Sequence, residues 1–139
     1  MKKAIIIYQS KKGTTKQLSN EIADFVKYNE INTRVTSIED FHETDLSTYD
    51  YIFLGCWTKG LLFLAQHPDA QWQNSVKSLR LPDHANIALF TTYKIATGSM
   101  FMKMKACLPE NHRESVLTIR SRSSQLLEDT RTEIENFIA

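Results

Sequence analysis

The chain has 139 residues, with 17 Lys and Arg against 16 Asp and Glu, a formal net charge of +1, 42% apolar and 24% charged residues. That length suits one domain with a sizeable core. A balanced charge, with no basic stripe interleaved with aromatics, argues against both a nucleic-acid binder and an acidic-surface protein.

The first element is an apolar run at residues 4–8 (Ala4, Ile5, Ile6, Ile7, Tyr8), expected of a strand buried on both faces. Its length of about five residues is too short for a signal-peptide core or a membrane span. The turn Gln9-Ser10-Lys11-Lys12-Gly13-Thr14-Thr15 follows. Residues 15–28 then carry Leu18, Ile22, Phe25 and Val26 at i, i+4, i+7 and i+8, which predicts a helix with one apolar stripe. Residues 33–38 are β-branched with polar residues interleaved, an edge-strand pattern, and 39–50 are polar loop.

Residues 51–54 (Tyr-Ile-Phe-Leu) form a second buried-type run closed by Gly55, and 56–67 read as irregular. Pro68-Asp69 suits a helix start, with Trp72, Val76 and Leu79 on its stripe. Residues 86–90 are a third apolar run and 91–98 a loop that ends at the helix cap Gly98-Ser99. Phe101, Met104 and Leu108 give the next helix its stripe, and Pro109 stops it. Residues 116–119 make a last strand. Ser123 and Ser124 can cap a final helix with Leu126, Leu127, Ile134, Phe137 and Ile138 inward.

Strands and helices alternate, which predicts a single α/β domain over residues 1–139: a five-stranded parallel sheet, order 2-1-3-4-5, with helices on both faces. In that order the switch point lies between strands 1 and 3, and ligands bind outside the carboxyl ends of the strands there. Three loops gather at that edge. The first is the hydroxyl-rich turn. Any strand-to-helix turn favours Ser and Thr as caps, but at the switch point its N–H groups, hydroxyls and helix dipole suit a phosphate. The second holds Cys56, Trp57, Thr58, Lys59 and Gly60; the third holds Thr91, Thr92, Tyr93, Lys94 and Gly98. One aromatic on each of the latter loops, beside a phosphate turn, suits a flat ring with a phosphate tail, best matched by FMN.

Other readings of single residues are plainer. Trp57 and Tyr93 are core residues at strand ends or stacking rings. Cys56 is a small buried thiol, since Cys56 and Cys107 form neither a C-x-x-C pair nor a metal-ligand spacing. Leu61-Leu62-Phe63-Leu64-Ala65 is a helical turn packed on the core or a partly exposed patch. His42, His67, His84 and His112 are scattered and read as surface residues. A phosphoacceptor receiver would need acids where this chain has Gln9, Ser10, Gly55 and Cys56, and no G-x-G-x-x-G follows strand 1.

Over nearly its whole length the chain resembles a short-chain flavodoxin. The family's phosphate loop, Ser/Thr-x-Thr-Gly-x-Thr, is matched at Ser10, Gly13 and Thr15, with Lys12 in place of a hydroxyl residue. The stretch from Asp45 to Gly55 is similar to the family's entry into strand 3. The resemblance implies a three-layer flavodoxin-like fold with FMN held by Ser10, Lys11, Lys12, Gly13, Thr14, Thr15, Cys56, Trp57, Thr58, Lys59, Gly60, Thr91, Thr92, Tyr93 and Gly98. It also implies that Gly60 lets a carbonyl turn toward the flavin N5.

The implied function is an electron carrier between a reductase and an acceptor enzyme, cytoplasmic, with no nucleic acid and no membrane. The alternatives are a flavin-dependent reductase acting on a small substrate, for which Lys59 in place of an aromatic leaves an open face, and a cofactor-free interaction module. Unlike the acidic members of the family, this chain has no acid at 91–94 and offers Lys59 and Lys94 near the ring. These cations favour an anionic reduced flavin, so the second reduction step is expected to be easier than in an acidic flavodoxin. An anaerobic redox titration checks this, and a very low potential for that step contradicts it.

Overall fold

The computed structural model describes residues 1–42, 45–61 and 64–139. In chain order the elements are β1 (Lys3–Gln9), α1 (Thr14–Tyr28), β2 (Asn32–Ser37), β3 (Tyr51–Trp57), β4 (Lys59–Leu61), β5 (Leu64–His67), α2 (Ala70–Lys77), β6 (Asn86–Thr92), α3 (Met100–Lys105), β7 (Leu117–Ser121) and α4 (Glu128–Ile138). A single 3-10 turn, Glu110–His112, precedes β7.

The main sheet has the order β2-β1-β3-β6-β7, all pairs parallel. Counted by its own strands, this is the expected 2-1-3-4-5. Alternation along each strand divides the core in two. Ile5, Ile7, Ile52, Leu54, Ile87 and Leu89 pack with Trp72 and Val76 of α2 and Met100 and Met104 of α3. Ala4, Ile6, Phe53, Ala88 and Phe90 pack with Leu18, Ile22 and Val26 of α1 and Ile134 and Ile138 of α4. Each central strand therefore buries side chains on both faces, which is why β1, β3 and β6 read as unbroken apolar runs.

The structure departs from the sequence reading at several points. Residues 59–67 are not irregular throughout: β4 and β5 pair antiparallel as a separate two-stranded ribbon. Of the apolar run at 61–65, Leu62 and Phe63 lie outside the described residues. Thr91 and Thr92 belong to β6 rather than to a loop, because the strand keeps its parallel pairing with β7 through Thr92 and Ser121. α3 ends at Lys105, so Leu108 is buried beyond the helix rather than on its stripe.

The last helix begins at Glu128, and neither Ser123 nor Ser124 caps it. Ser124, with φ 65°, stands four residues before Glu128, and Leu127 holds the cap position. The Ser124 hydroxyl donates instead to Gln17 Oε1, and the Ser121 hydroxyl donates to the Gln125 carbonyl while accepting from the Ser123 N–H. Leu127 is consequently 69% exposed, not inward. His112 is buried rather than at the surface.

The central strands approach closely at one place. Gly55 faces the α1/α4 side of β3 opposite Phe90 of β6, and a Cβ at Gly55 would overlap the Phe90 ring. Gly55→Ala is therefore expected to force that ring from its place, lowering stability by about 1–3 kcal/mol, as overpacking does. Thermal unfolding of the variant checks this.

Candidate functional site

Parallel pairing brings the carboxyl ends of the central strands to one level, with Gln9 opposite Cys56 and Trp57 opposite Thr92. The segments that leave there enclose a cleft of about 500 Å³, within the range of small-molecule and cofactor sites. The cleft is lined by Ser10, Lys11, Lys12, Thr14, Thr15, Trp57, Thr58, Lys59, Thr92 and Tyr93, all expected from the sequence. Gln66, Lys94, Ile95, Ala96 and Arg122 complete it. A second hollow, bounded by Ile38, Phe41, His42 and the segment Ser75 to Arg80, involves none of the expected residues.

One end of the cleft is the turn between β1 and α1. Gly13 sits just before the helix with φ 97°, and its N–H donates to Ser10 Oγ at 3.0 Å. That bond closes the turn. No side chain caps α1, and its first turn holds no acid. The first N–H groups of a helix have no acceptor within it, and here they meet the cleft beside Thr14 and Thr15. Thr15 is buried, and its hydroxyl shares a 2.7 Å hydrogen bond with that of Thr92, tying α1 to the end of β6.

The side walls carry the aromatics. Trp57 is the last residue of β3, half-buried, with Lys11 Nζ 4.8 Å and Lys59 Nζ 5.9 Å from its ring centre. Tyr93 follows β6, and the Arg122 guanidinium carbon lies 5.5 Å from its ring centre. Arg122 also donates to the Ile95 carbonyl. Cations over ring faces at such distances are weakly attractive at exposed sites. Lys59 is 3.8 Å from Asp69, which caps α2 by accepting from the Gln71 N–H.

Other expected residues support the cleft from behind. The Thr91 hydroxyl donates to the Cys56 carbonyl and bonds the Thr58 hydroxyl at 2.8 Å, while the Thr58 N–H reaches the Thr92 carbonyl. Gly98 has φ 50° and lies against Gln66, where a Cβ would overlap the side-chain amide. The Gln66 carbonyl accepts from Ser99 Oγ and Lys103 Nζ, so the β4–β5 ribbon is pinned to the start of α3. Gly60 is the middle residue of β4. Cys56 turns into the core rather than the cleft: it is fully buried and its thiol faces Gln9 Oε1 at 3.4 Å.

Gln66 and Arg122 went unread in the sequence for different reasons. Gln66 belongs to a ribbon of three- and four-residue strands with no clear alternation. Arg122 comes from the segment after β7, a fourth loop beyond the three that the switch-point argument names.

Residues 5–138 match the flavodoxin domain family, and the chain belongs to that family. FMN is its cofactor. No curated protein matches. Among solved structures, the flavodoxin of Megasphaera elsdenii is 19% identical, with a TM-score of 0.70 over 98% of this chain and 99% of its own. An oxidised flavodoxin from Bacillus cereus is 20% identical, with a TM-score of 0.65 over 97% and 93%. The flavodiiron core of a Synechocystis protein is 15% identical, with a TM-score of 0.73 over 98% of this chain but 34% of its own. These likenesses are likenesses of fold. Among the described residues no helix is long and apolar enough to cross a membrane, and no cluster of His, Cys, Asp and Glu is arranged to hold a metal.

Burial pushes the Cys56 thiol up to about 12 and raises that of Cys107 as well. Neither is a poised thiolate. Both are expected to resist Ellman's reagent in the native protein near pH 8 and to react once it is unfolded. A thiol held protonated by the fold contributes stability below its unfolded value of 9.0, and that contribution fades as pH rises from there toward about 12. Unfolding midpoints should therefore fall above pH 9 in the parent and less steeply in Cys56→Ala. Rapid labelling of native Cys56 would contradict its placement.

Proposed function

We propose that this chain is an electron carrier that holds FMN in the cleft at the carboxyl edge of the sheet and passes electrons between a reductase and an acceptor redox enzyme. The observation that carries the reading is the pairing of an uncapped helix start with two half-buried aromatics across one cleft. A phosphate dianion there meets N–H groups, the Thr14 hydroxyl and the positive end of α1, with Lys11 and Lys12 close by. A planar ring system fits between Trp57 and Tyr93, with Thr58, Lys59 and Lys94 at its edge. The ring stacks by displacing Lys11 from Trp57 or Arg122 from Tyr93, and both cations are exposed enough to yield.

The flavin supplies the redox chemistry, and the protein supplies binding, orientation and electrostatics. The buried Thr15–Thr92 and half-buried Thr58–Thr91 hydroxyl pairs hold the phosphate end and the ring end at a fixed separation. Two free, buried thiols suit a reducing cytoplasm.

The test is a titration of the purified protein with FMN, followed by quenching of flavin and tryptophan fluorescence. Saturable binding at one site is expected, and a protein that takes up no flavin overturns the reading. Trp57→Ala should bind roughly twofold to twelvefold more weakly, the share of a lost stacking contact worth ~0.5–1.5 kcal/mol beyond burial. A carrier consumes neither NADH nor NADPH on its own. Steady oxidation of either by the FMN-loaded protein without a partner would instead identify a reductase.

A further inference from the structure

The charge of this molecule is unevenly spread. Overall it is nearly neutral, with 17 Lys and Arg against 16 Asp and Glu. Yet Lys11, Lys12, Lys59, Lys94 and Arg122 all line one cleft, and no Asp or Glu among the described residues does. They come from four separate segments, and the fold alone collects them.

A bound phosphate dianion accounts for part of this. Lys11 and Lys12 sit on the phosphate turn. Lys59, Lys94 and Arg122 sit on the ring side, on segments that do not contribute to that turn. Lys59 is partly offset by Asp69 at 3.8 Å. Lys94 and Arg122 are exposed and flank Ile95, which is 43% exposed. An exposed apolar residue between two cations, on the lining of the cleft, offers a partner both apolar contact and charge, the mixture found across non-obligate interfaces.

We propose that this cationic rim is where partner proteins dock, and that it takes partners whose own redox centre is surrounded by carboxylates. The inference rests on the carrier reading above, because electrons cross only short gaps and a partner must come to the cleft mouth to receive them. Opposite charge on the two faces steers the encounter and fixes its orientation, raising the association rate at low salt. A like-charged face is turned away. Nucleic acid, the other polyanion to consider, calls for an extended basic stripe, whereas these cations form a rim around a single cleft on a nearly neutral protein.

Two measurements test the proposal, the first independent of flavin. Near pH 8, about the isoelectric point of 7.8, the cofactor-free protein is applied to a carboxymethyl matrix at low salt. A protein with evenly spread charge passes through at that pH; this one is expected to be retained. The double variant Lys94→Gln/Arg122→Gln is expected to elute at clearly lower salt. Flow-through of the parent, or unchanged elution of a variant that keeps the parental circular dichroism, overturns the proposal and leaves FMN binding untouched.

The second measurement uses protein loaded with FMN and reduced photochemically. It is mixed in a stopped-flow instrument with ferricyanide or with hexaammineruthenium(III). Each oxidant ion takes one electron, its metal passing from the trivalent to the divalent state, and two ions return one fully reduced flavin to its oxidised form with release of its protons. Between about 10 and about 300 mM salt, the ferricyanide rate is expected to fall at least about threefold and the ruthenium rate to rise, as for attraction and repulsion screened over a shrinking Debye length. The double variant should flatten both slopes. Slopes of the opposite sign overturn the proposal. So does release of the parent from the matrix by oligothymidylate at a tenth of the residue concentration that polyglutamate needs, an outcome that assigns the face to nucleic acid.

Discussion

Everything at the cleft depends on the parallel register of β1, β3 and β6. The pairs Gln9–Cys56 and Trp57–Thr92 set the ends of these strands at one height, so the chain emerges from neighbouring strands onto a common rim. A shift of register by one residue would exchange the two buried faces of a strand. It would place Ile5, Ile7, Leu54 and Leu89 against α1 and α4 instead of α2 and α3, and would move the three loops apart by the rise of a residue. Because both faces of each central strand are apolar and differently shaped, register is held by packing on two sides at once. The ligand cleft is in this sense a by-product of how the core is filled.

The same packing is unforgiving at Gly55. The ring of Phe90 lies across the glycine and fills what would be the space of a side chain, and both residues face the α1 and α4 side of the sheet. Two positions further along β6, Thr92 bonds the first turn of α1 through Thr15. The inward-facing line Phe90 to Thr92 thus runs from core to cleft, changing from apolar to polar where the sheet ends. On the other face, Gln9 performs a comparable change. Its buried amide donates to Asp69 and Gln71 and accepts from the Cys56 thiol, joining the ends of β1 and β3 to the start of α2. At these strand ends each buried polar side chain finds a partner, as the cost of burying an unpaired group requires.

The sheet and the turn between β1 and α1 were legible because each rests on local signals. Unbroken apolar runs mark strands covered on both sides, the 3.6-residue stripe of α1 marks a helix with one buried face, and Pro68-Asp69 opens α2 with Asp69 as its cap. The β4–β5 ribbon was not legible. Its strands are short, and it is held by Gln66, whose carbonyl is bound by Ser99 and Lys103 more than thirty residues away. The start of α4 was misplaced because a Ser pair looks like a cap from sequence alone. Whether it caps depends on where the helix starts, and with Leu127 in the cap position the Ser124 hydroxyl binds Gln17 instead. Cys56 was drawn into the site by its neighbours in sequence, while the alternation of β3 sends its side chain to the opposite side from Gly55.

The cationic rim shows why charge is harder to read than hydrophobicity. Apolar periodicity is a property of consecutive residues, so a window of ten reveals it. A rim is a property of loops that are remote in sequence and adjacent in space. Lys11 and Lys12 read as part of the turn after the first strand, Lys59 as a substitution for an aromatic, and Arg122 lies beyond the last strand that the sequence marks. Only when parallel strands deliver the four segments to one edge do their charges add, and the overall charge of +1 conceals the result. Net charge governs how a protein behaves in bulk; the local field at a cleft mouth governs what approaches it. For a protein whose chemistry is carried by a bound group reached through that mouth, the second quantity decides which encounters become productive.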